Sequence, residues 1–167
     1  MSQIIGRAWK FSDNITTDYI APGRYFHLRS NLPEFAKHVL EDIKPEFVDN
    51  VKAGDMIVAG TNFGMGSSRE HAPAIIKLAG VGAVLAKSFS RIFFRNAINI
   101  GLPVIQIDTD FINEMDRIAI SLEHGIIENL TTGEKDSFNP LPKVMINILD
   151  DGGLVNHIVK HKGLILD

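Results

Sequence analysis

The sequence predicts an α/β fold in which parallel and antiparallel strands are mixed. Short apolar runs at 55–59, 83–86 and 104–107 alternate with amphipathic helical patterns, and strand–helix–strand units of this spacing form parallel pairs with right-handed crossovers. Residues 111–138 instead alternate apolar and polar positions around tight turns, which is typical of antiparallel strands. A chain of 167 residues has the length of one domain, so we expect a single domain over 1–167.

The other predicted elements lie before, between and after these segments. In chain order they are a strand at 4–11, a polar turn at 13–18, a loop at 25–31, and helices at 33–40, 88–99 and 154–161. His157 and His161 of the last helix stand one turn apart, a spacing that can bind a metal ion. Because the sequence offers no third ligand nearby, we expect two histidines on a helix surface and no metal site.

Composition limits the classes of protein to consider. Apolar residues make up 45% of the chain and charged residues 22%, and a net charge of −3 gives no electrostatic reason to bind nucleic acid or an acidic membrane. No stretch approaches the length of a membrane span, and the first ten residues lack the apolar core of a signal peptide, so we expect a cytoplasmic protein. The chain contains no cysteine, which excludes a disulfide framework and leaves no thiolate for an iron–sulfur cluster.

Residues 60–73, GTNFGMGSSREHAP, carry the strongest functional signal. A buried strand leads into them and an amphipathic helix leads out, so the glycines stand in a turn where a ligand can approach the backbone closely. Free N–H groups at the start of a helix favour an anion. Ser67, Ser68 and Arg69 add two hydroxyls and a guanidinium that can bind a carboxylate through two hydrogen bonds.

Two interpretations of this turn remain open from the residues alone. Ser67 and Glu70 have the spacing of a capping box, which would give them a purely structural role. Pro73 opposes that interpretation, because in a helix beginning at Ser68 it would lose a backbone hydrogen bond to Arg69. A helix that begins nearer Pro73 would leave the two serines and the arginine in the loop, free for a ligand.

The motif at 66–73, GSSREHAP, resembles the signature of the aconitase family's swivel domain, in the form which that domain takes as a separate small subunit. Segments at 13–18, 22–25, 87–93 and 95–103 match the same family, so the resemblance covers nearly the whole chain. It implies the family's swivelling β/β/α fold. It also implies a small subunit of the 3-isopropylmalate dehydratase or homoaconitase type.

The resemblance further implies a hydro-lyase that moves water on and off a small 2-hydroxy acid. Ser67 matches the catalytic base, Arg69 the residue that clamps a substrate carboxylate, and Ser68 would help to hold that anion. Thr17 and Asp18 would lie close to the active site, where Asp18 positions neighbouring groups. The family's chemistry uses a [4Fe-4S] cluster held by cysteines. Because this chain has none, the cluster is expected in a separate large subunit, without which this chain is inert.

The segment at 25–31 is expected to influence the choice of substrate, because related small subunits differ there. An apolar residue in it would suit the isopropyl group of isopropylmalate, whereas a cation would suit a second, distal carboxylate. Arg29 supplies a cation. The most common assignment for such chains is 3-isopropylmalate dehydratase, of leucine biosynthesis. Arg29 keeps homoaconitase or another hydroxy-acid dehydratase open, and a non-catalytic anion-binding module is the alternative of a different class.

Overall fold

One sheet of seven strands runs through residues 3–165, the part of the chain that the computed structural model describes; the ends of the predicted domain, 1–2 and 166–167, lie outside it. The strands are β1 (Ile4–Lys10), β2 (Met56–Ala59), β3 (Ala83–Ala86), β4 (Val104–Gln106), β5 (Arg117–Ser121), β6 (Ile126–Asn129) and β7 (Lys135–Ser137). Their order across the sheet is β4-β3-β2-β1-β5-β6-β7. The pairs from β4 to β1 are parallel and those from β1 to β7 antiparallel, which confirms the predicted mixed α/β fold.

Helical segments connect and cover the strands. The α-helices are α1 (Thr17–Ile20), α2 (Leu32–Phe35), α3 (Phe47–Asn50), α4 (His71–Leu78), α5 (Arg91–Asn99), α6 (Lys143–Asp150) and α7 (Leu154–His161). Two 3₁₀ helices lie at Gly23–Ser30 and Ala36–His38. No helix in the described part of the chain is long and apolar enough to cross a membrane.

Strand β1 joins the two halves of the sheet because its two ends pair with different neighbours. Its first half, Ile4–Arg7, pairs antiparallel with β5, whereas Ala8–Lys10 pairs parallel with β2. Every residue of β2 and β3 is buried, which is the pattern of parallel strands covered on both faces. The core therefore lies on both sides of these two strands, where Phe35, Phe47 and Phe63 are fully buried.

A buried carboxylate stabilises the point where β1 changes neighbours. The side chain of Asp55 is 4% exposed and accepts hydrogen bonds from the Arg7 guanidinium (Nη2, 2.6 Å) and from Trp9 Nε1 (3.0 Å). Its oxygens also accept the backbone N–H groups of Arg7 and Lys52, at 3.0 and 2.9 Å. Burial raises the pKa of Asp55, but these hydrogen bonds outweigh it and lower the pKa to about 2.

Two predicted elements in the first third of the chain differ from the structure. Residues 25–31 were expected as a loop, but Gly23–Ser30 is a 3₁₀ helix, in which Tyr25 stacks on the ring of His38 at 3.7 Å. The helix expected at 33–40 is α-helical to Phe35, continues as a 3₁₀ helix to His38 and stops before Leu40, which adopts a left-handed conformation with φ +58°. Leu40 is fully buried and its N–H bonds to the carbonyl of Ile20, so tertiary packing overrides its helical pattern here.

The helix expected at 88–99 begins three residues late, at Arg91, for a related reason. Its first residues are used to hold the glycine-rich turn: Ser88 O accepts from Phe63 N–H at 3.0 Å, and Ser88 Oγ accepts from Asn62 N–H at 2.8 Å. Ser90 N–H in turn donates to the Phe63 carbonyl at 2.9 Å.

We expect Asp55→Asn to lower the free energy of unfolding at pH 7 by about 3 kcal/mol, because it removes one partner of a buried, hydrogen-bonded charge pair. Urea denaturation measures this loss. Since the native pKa lies at about 2, below the ordinary value of 3.8, the wild-type advantage is complete well above pH 3.8 and disappears as the pH falls towards 2. Asp136→Asn on the exposed strand β7 is the control, and equal stability of both variants at pH 7 would contradict the assignment.

Candidate active site

The predicted site residues gather at one edge of the sheet. Strands β1, β2 and β3 run parallel, so the turns that follow them leave at the same, carboxyl-terminal edge. In open sheets with parallel strands this edge is where ligands bind. The segment after β1 carries Thr17 and Asp18, and the turn after β2 carries Ser67, Ser68 and Arg69.

Glycines allow the turn after β2 to fold tightly against its surroundings. Gly64 has φ +78° and Gly66 φ +108°, conformations that other residues rarely adopt. A Cβ added to Gly64 would lie 2.3 Å from the Phe93 ring, so no larger residue fits there without displacing α5. The turn is therefore held between α5 on one side and the segment after β1 on the other.

Several hydrogen bonds join this turn to the segment after β1, and three of them lie next to the predicted site residues. Gly64 N–H donates to the Ile15 carbonyl at 2.7 Å, and Thr17 N–H donates to the Met65 carbonyl at 2.9 Å. Thr17 Oγ1 then donates to the Ser67 carbonyl at 3.0 Å. Thr17 is buried, and these contacts place it directly beneath the predicted base.

The start of α4 decides between the two interpretations of the signature. The helix begins at His71, and its N-cap Glu70 makes no capping hydrogen bond through its side chain. The capping box between Ser67 and Glu70 is therefore wrong. Pro73 becomes the third residue of the helix, where no backbone hydrogen bond is lost, and Ser67 to Arg69 stand in the loop, as the second interpretation predicts.

Arg69 connects the predicted groups. Its Nε donates to Ser67 Oγ at 3.1 Å, and its Nη1 donates to the Ala21 carbonyl at 2.8 Å. Its Nη2 forms an ion pair with Asp18, whose side chain is 68% exposed. The guanidinium side chain itself is 19% exposed, so a largely buried positive charge lies against the serine hydroxyl.

The serines leave several donors without partners. Ser67 and Ser68 are both exposed, and within residues 3–165 neither their backbone N–H groups nor the Ser68 hydroxyl makes a hydrogen bond. These donors and Arg69 form a set of three consecutive residues with one positive charge. Free amides and hydroxyls beside a guanidinium favour a carboxylate or another anion.

Arg29 lies apart from this set. It is exposed, near the end of the 3₁₀ helix, where its guanidinium carbon stands 4.7 Å from the Phe26 ring centroid and its Nη1 donates to the Phe26 carbonyl at 3.3 Å. It has no contact with Ser67 or Arg69. The Phe26 ring contacts the ring of His71, at the start of α4. Arg29 is therefore connected to the signature segment only indirectly, by way of the Phe26 and His71 rings.

The sequence analysis missed Ser90 and Asn96. Both line a small cleft beside Thr17, Ser67 and Arg69, together with apolar residues of α5. The matches to the aconitase family at 87–93 and 95–103 contain them and were the available signal. A larger, mostly apolar groove of about 570 Å³ lies between α5, α6 and α7. Arg91 and Arg95 line it, but it contains none of the predicted site residues, and we place the candidate site at the turn.

Of the two histidines of α7, His161 is exposed as predicted, whereas His157 differs from its prediction. His157 is fully buried rather than on a helix surface, and Asp151 is a third potential ligand, so that the ligand atoms lie within 4.8 Å of one another. Asp151 Oδ2 instead accepts hydrogen bonds from His157 Nδ1 at 2.7 Å and His161 Nε2 at 2.8 Å. Ile165 N–H donates to His157 Nε2 at 3.2 Å, so both ring nitrogens have partners within the fold.

Comparison with known proteins identifies the family of the chain. The family described as "Aconitase C-terminal domain" matches residues 26–110. A 3-isopropylmalate dehydratase small subunit of Thermotoga maritima is 60% identical over 159 residues, which cover 95% of this chain and 96% of that protein. A methanogen homoaconitase small subunit of Methanothermobacter thermautotrophicus is 54% identical, over 94% and 91% of the two chains.

A solved structure extends the likeness to three dimensions. The 3-isopropylmalate dehydratase structure from Methanocaldococcus jannaschii superposes with a TM-score of 0.90 at 45% sequence identity, covering 96% of this chain and 95% of that one. Sequence and fold therefore agree over nearly the full length. This chain belongs to the aconitase family, and within it to the separate small subunits of the 3-isopropylmalate dehydratase type.

Proposed function

We propose that this chain is the small subunit of a hydro-lyase that dehydrates and rehydrates a 2-hydroxy acid, with 3-isopropylmalate as its substrate. The observation that carries the proposal is the hydrogen bond from Arg69 Nε to Ser67 Oγ. A purely anion-binding turn would need the arginine and the amides. It would not need a guanidinium directed at a serine oxygen.

Ser67 would act as the base. Its Oγ takes the proton from the carbon next to a substrate carboxylate, and the Arg69 charge beside that oxygen stabilises the alkoxide form. Water around an exposed serine screens the attraction between the Arg69 charge and the alkoxide. Because Ser67 is exposed in this chain, the base requires a partner surface that closes over it.

Arg69 and Ser68 would hold the substrate carboxylate. The N–H groups of the two serines and the Ser68 hydroxyl have no partner among the described residues and adjoin Arg69 in sequence, so a carboxylate bound at the turn would accept from them beside the guanidinium charge. Asp18 has the role of a positioning group, because its ion pair with Nη2 holds the guanidinium beside the serine. Thr17 would fix the Ser67 backbone through its hydroxyl.

The family's [4Fe-4S] cluster is assigned to a separate large subunit. The groups at this site are hydroxyls, amides and a guanidinium, a set suited to an anionic substrate and without a thiolate that could ligate iron. When bound, such a cluster supplies a Lewis acid for the substrate hydroxyl and a carboxylate. The relatives are themselves named small subunits, which supports a heteromeric enzyme.

A second candidate substrate is homoaconitate, and Arg29 favours it. Arg29 is exposed and, among the described residues, has no acidic partner, so its charge is available to a distal carboxylate. The homoaconitase small subunit is almost as similar to this chain as the dehydratase relatives are. Turnover of both substrates by one reconstituted enzyme decides between them.

We expect Ser67→Ala to lower kcat at least about 10³-fold in the complex reconstituted with the cognate large subunit, because the variant lacks the atom that accepts the proton. Steady-state dehydration of 3-isopropylmalate measures the loss, and gel filtration checks that the subunits remain associated. Ser12→Ala, an exposed serine outside the turn, is the matched control. A Ser67→Ala complex of near-normal rate would reject the base and support an anion-binding role alone.

We expect Arg29→Gln to shift the ratio of kcat/KM for homocitrate over that for 3-isopropylmalate by about tenfold towards isopropylmalate, since losing one exposed charge contact with a distal carboxylate is worth about 1.4 kcal/mol. Arg24→Gln, on the same 3₁₀ helix but paired with Glu41 and Asp42, serves as the control. An unchanged ratio in Arg29→Gln would remove this residue from substrate selection.

A further inference from the structure

His71 occupies a position between the two parts of the proposed substrate site. It is the first residue of α4, two positions after Arg69. One face of its ring stacks on Phe35 of α2, with centroids 5.2 Å apart and planes 28° apart. The ring of Phe26, from the 3₁₀ helix that carries Arg29, meets it at 5.6 Å and 64°.

The contacts of this ring are aromatic rather than polar. Its Nε2 is buried without a hydrogen-bond partner, and neither ring nitrogen makes a hydrogen bond within the described residues. An unpaired buried nitrogen destabilises a fold by about 1–3 kcal/mol, so packing alone would favour an apolar ring here. The ring at 71 is therefore held in place by its aromatic neighbours and not by hydrogen bonds.

Two nearby arginines, Arg69 and Arg29, act on the His71 ring through their positive charge. Burial lowers the pKa of His71, the charges of Arg69 and Arg29 lower it further, and Glu70 opposes them more weakly. At neutral pH the ring is uncharged, so it adds no third cation to the two guanidinium groups that act on it. Two guanidinium groups near one site suit a substrate that carries carboxylates at both ends.

A continuous row of contacts connects the core to Arg29. Phe35 is fully buried and anchors His71, which supports Phe26, whose ring in turn lies beneath the Arg29 guanidinium. Phe26 is 43% exposed, so the core alone does not fix its place. The position of Arg29 thus depends on the ring at 71.

We propose that His71 is a positioning residue whose ring, held between Phe35 and Phe26, sets the place of Arg29 relative to Arg69 and thereby the preference for a distal carboxylate over a distal alkyl group. The inference rests on the proposed function, since it concerns the same substrate site. It assigns His71 no proton transfer. Ser67 is held by Thr17 and Arg69, so shortening the side chain at 71 leaves the base in place.

The test compares His71→Ala with His71→Phe in the reconstituted complex, using homocitrate and 3-isopropylmalate. In His71→Ala the KM for homocitrate should rise about tenfold, with kcat for 3-isopropylmalate within about threefold of wild type, because one support of the distal site is lost while the base remains. His71→Phe keeps the stacked ring and should retain the wild-type preference. Leu78→Ala, exposed at the far end of α4, is the control.

Two outcomes overturn the inference: an unchanged preference in His71→Ala, or an equal shift in His71→Phe. If His71→Ala does not assemble, Phe26→Leu interrupts the same row at an exposed position and must shift the preference in the same direction. Amide hydrogen exchange of residues 23–30 in the free chain adds a readout independent of turnover. Protection should fall in His71→Ala and remain in His71→Phe, whereas failure of the proposed function appears as absence of turnover in the wild-type complex.

Discussion

The parallel pairing of β1 with β2 is the constraint on which the candidate site depends. It brings the segment after β1 and the turn after β2 out of the same edge of the sheet, 50 residues apart in sequence. The positive φ angles of Gly64 and Gly66 then let the turn fold back, so that Thr17 can bond to it through both its N–H and its hydroxyl. Asp55 stabilises the neighbouring end of this pairing, because it holds β1 where that strand passes from β5 to β2.

The Arg69 guanidinium has different partners on its two sides, and this arrangement suits the proposed serine base. Arg69 satisfies one side of its guanidinium within the chain, on Asp18 and the Ala21 carbonyl, and presents the other to the Ser67 hydroxyl. The arginine is thus fixed before a ligand arrives, and little side-chain freedom is lost when an anion binds. Fixed donors stabilise developing negative charge better than donors that must reorient, which is the requirement for a serine base.

The strands and βα units could be predicted because apolar runs such as 56–59 are buried on both faces and leave a continuous pattern in the sequence. Local pattern failed where distant contacts decide the conformation. Leu40 continues a helical stripe, yet its burial and its bond to Ile20 turn the backbone left-handed. His157 has the spacing of a surface residue, but Asp151 and the Ile165 amide satisfy its ring inside the fold. Ser67 and Arg69 could be predicted as candidates from the sequence because their motif is local. Ser90 and Asn96 join the cleft only through the packing of α5 against the turn.

The exposure of Ser67 links the chemistry to assembly. An alkoxide gains most from a neighbouring cation where water is excluded, because the same charge pair is worth several-fold more at low effective dielectric. In this chain the turn lies at the edge of the sheet, so Arg69 already contacts the proposed base while the serine still faces solvent. In the proposed function, a second subunit that covered the turn would strengthen this contact without moving it. The proposed base would then become active only when substrate, cluster and both subunits are brought together.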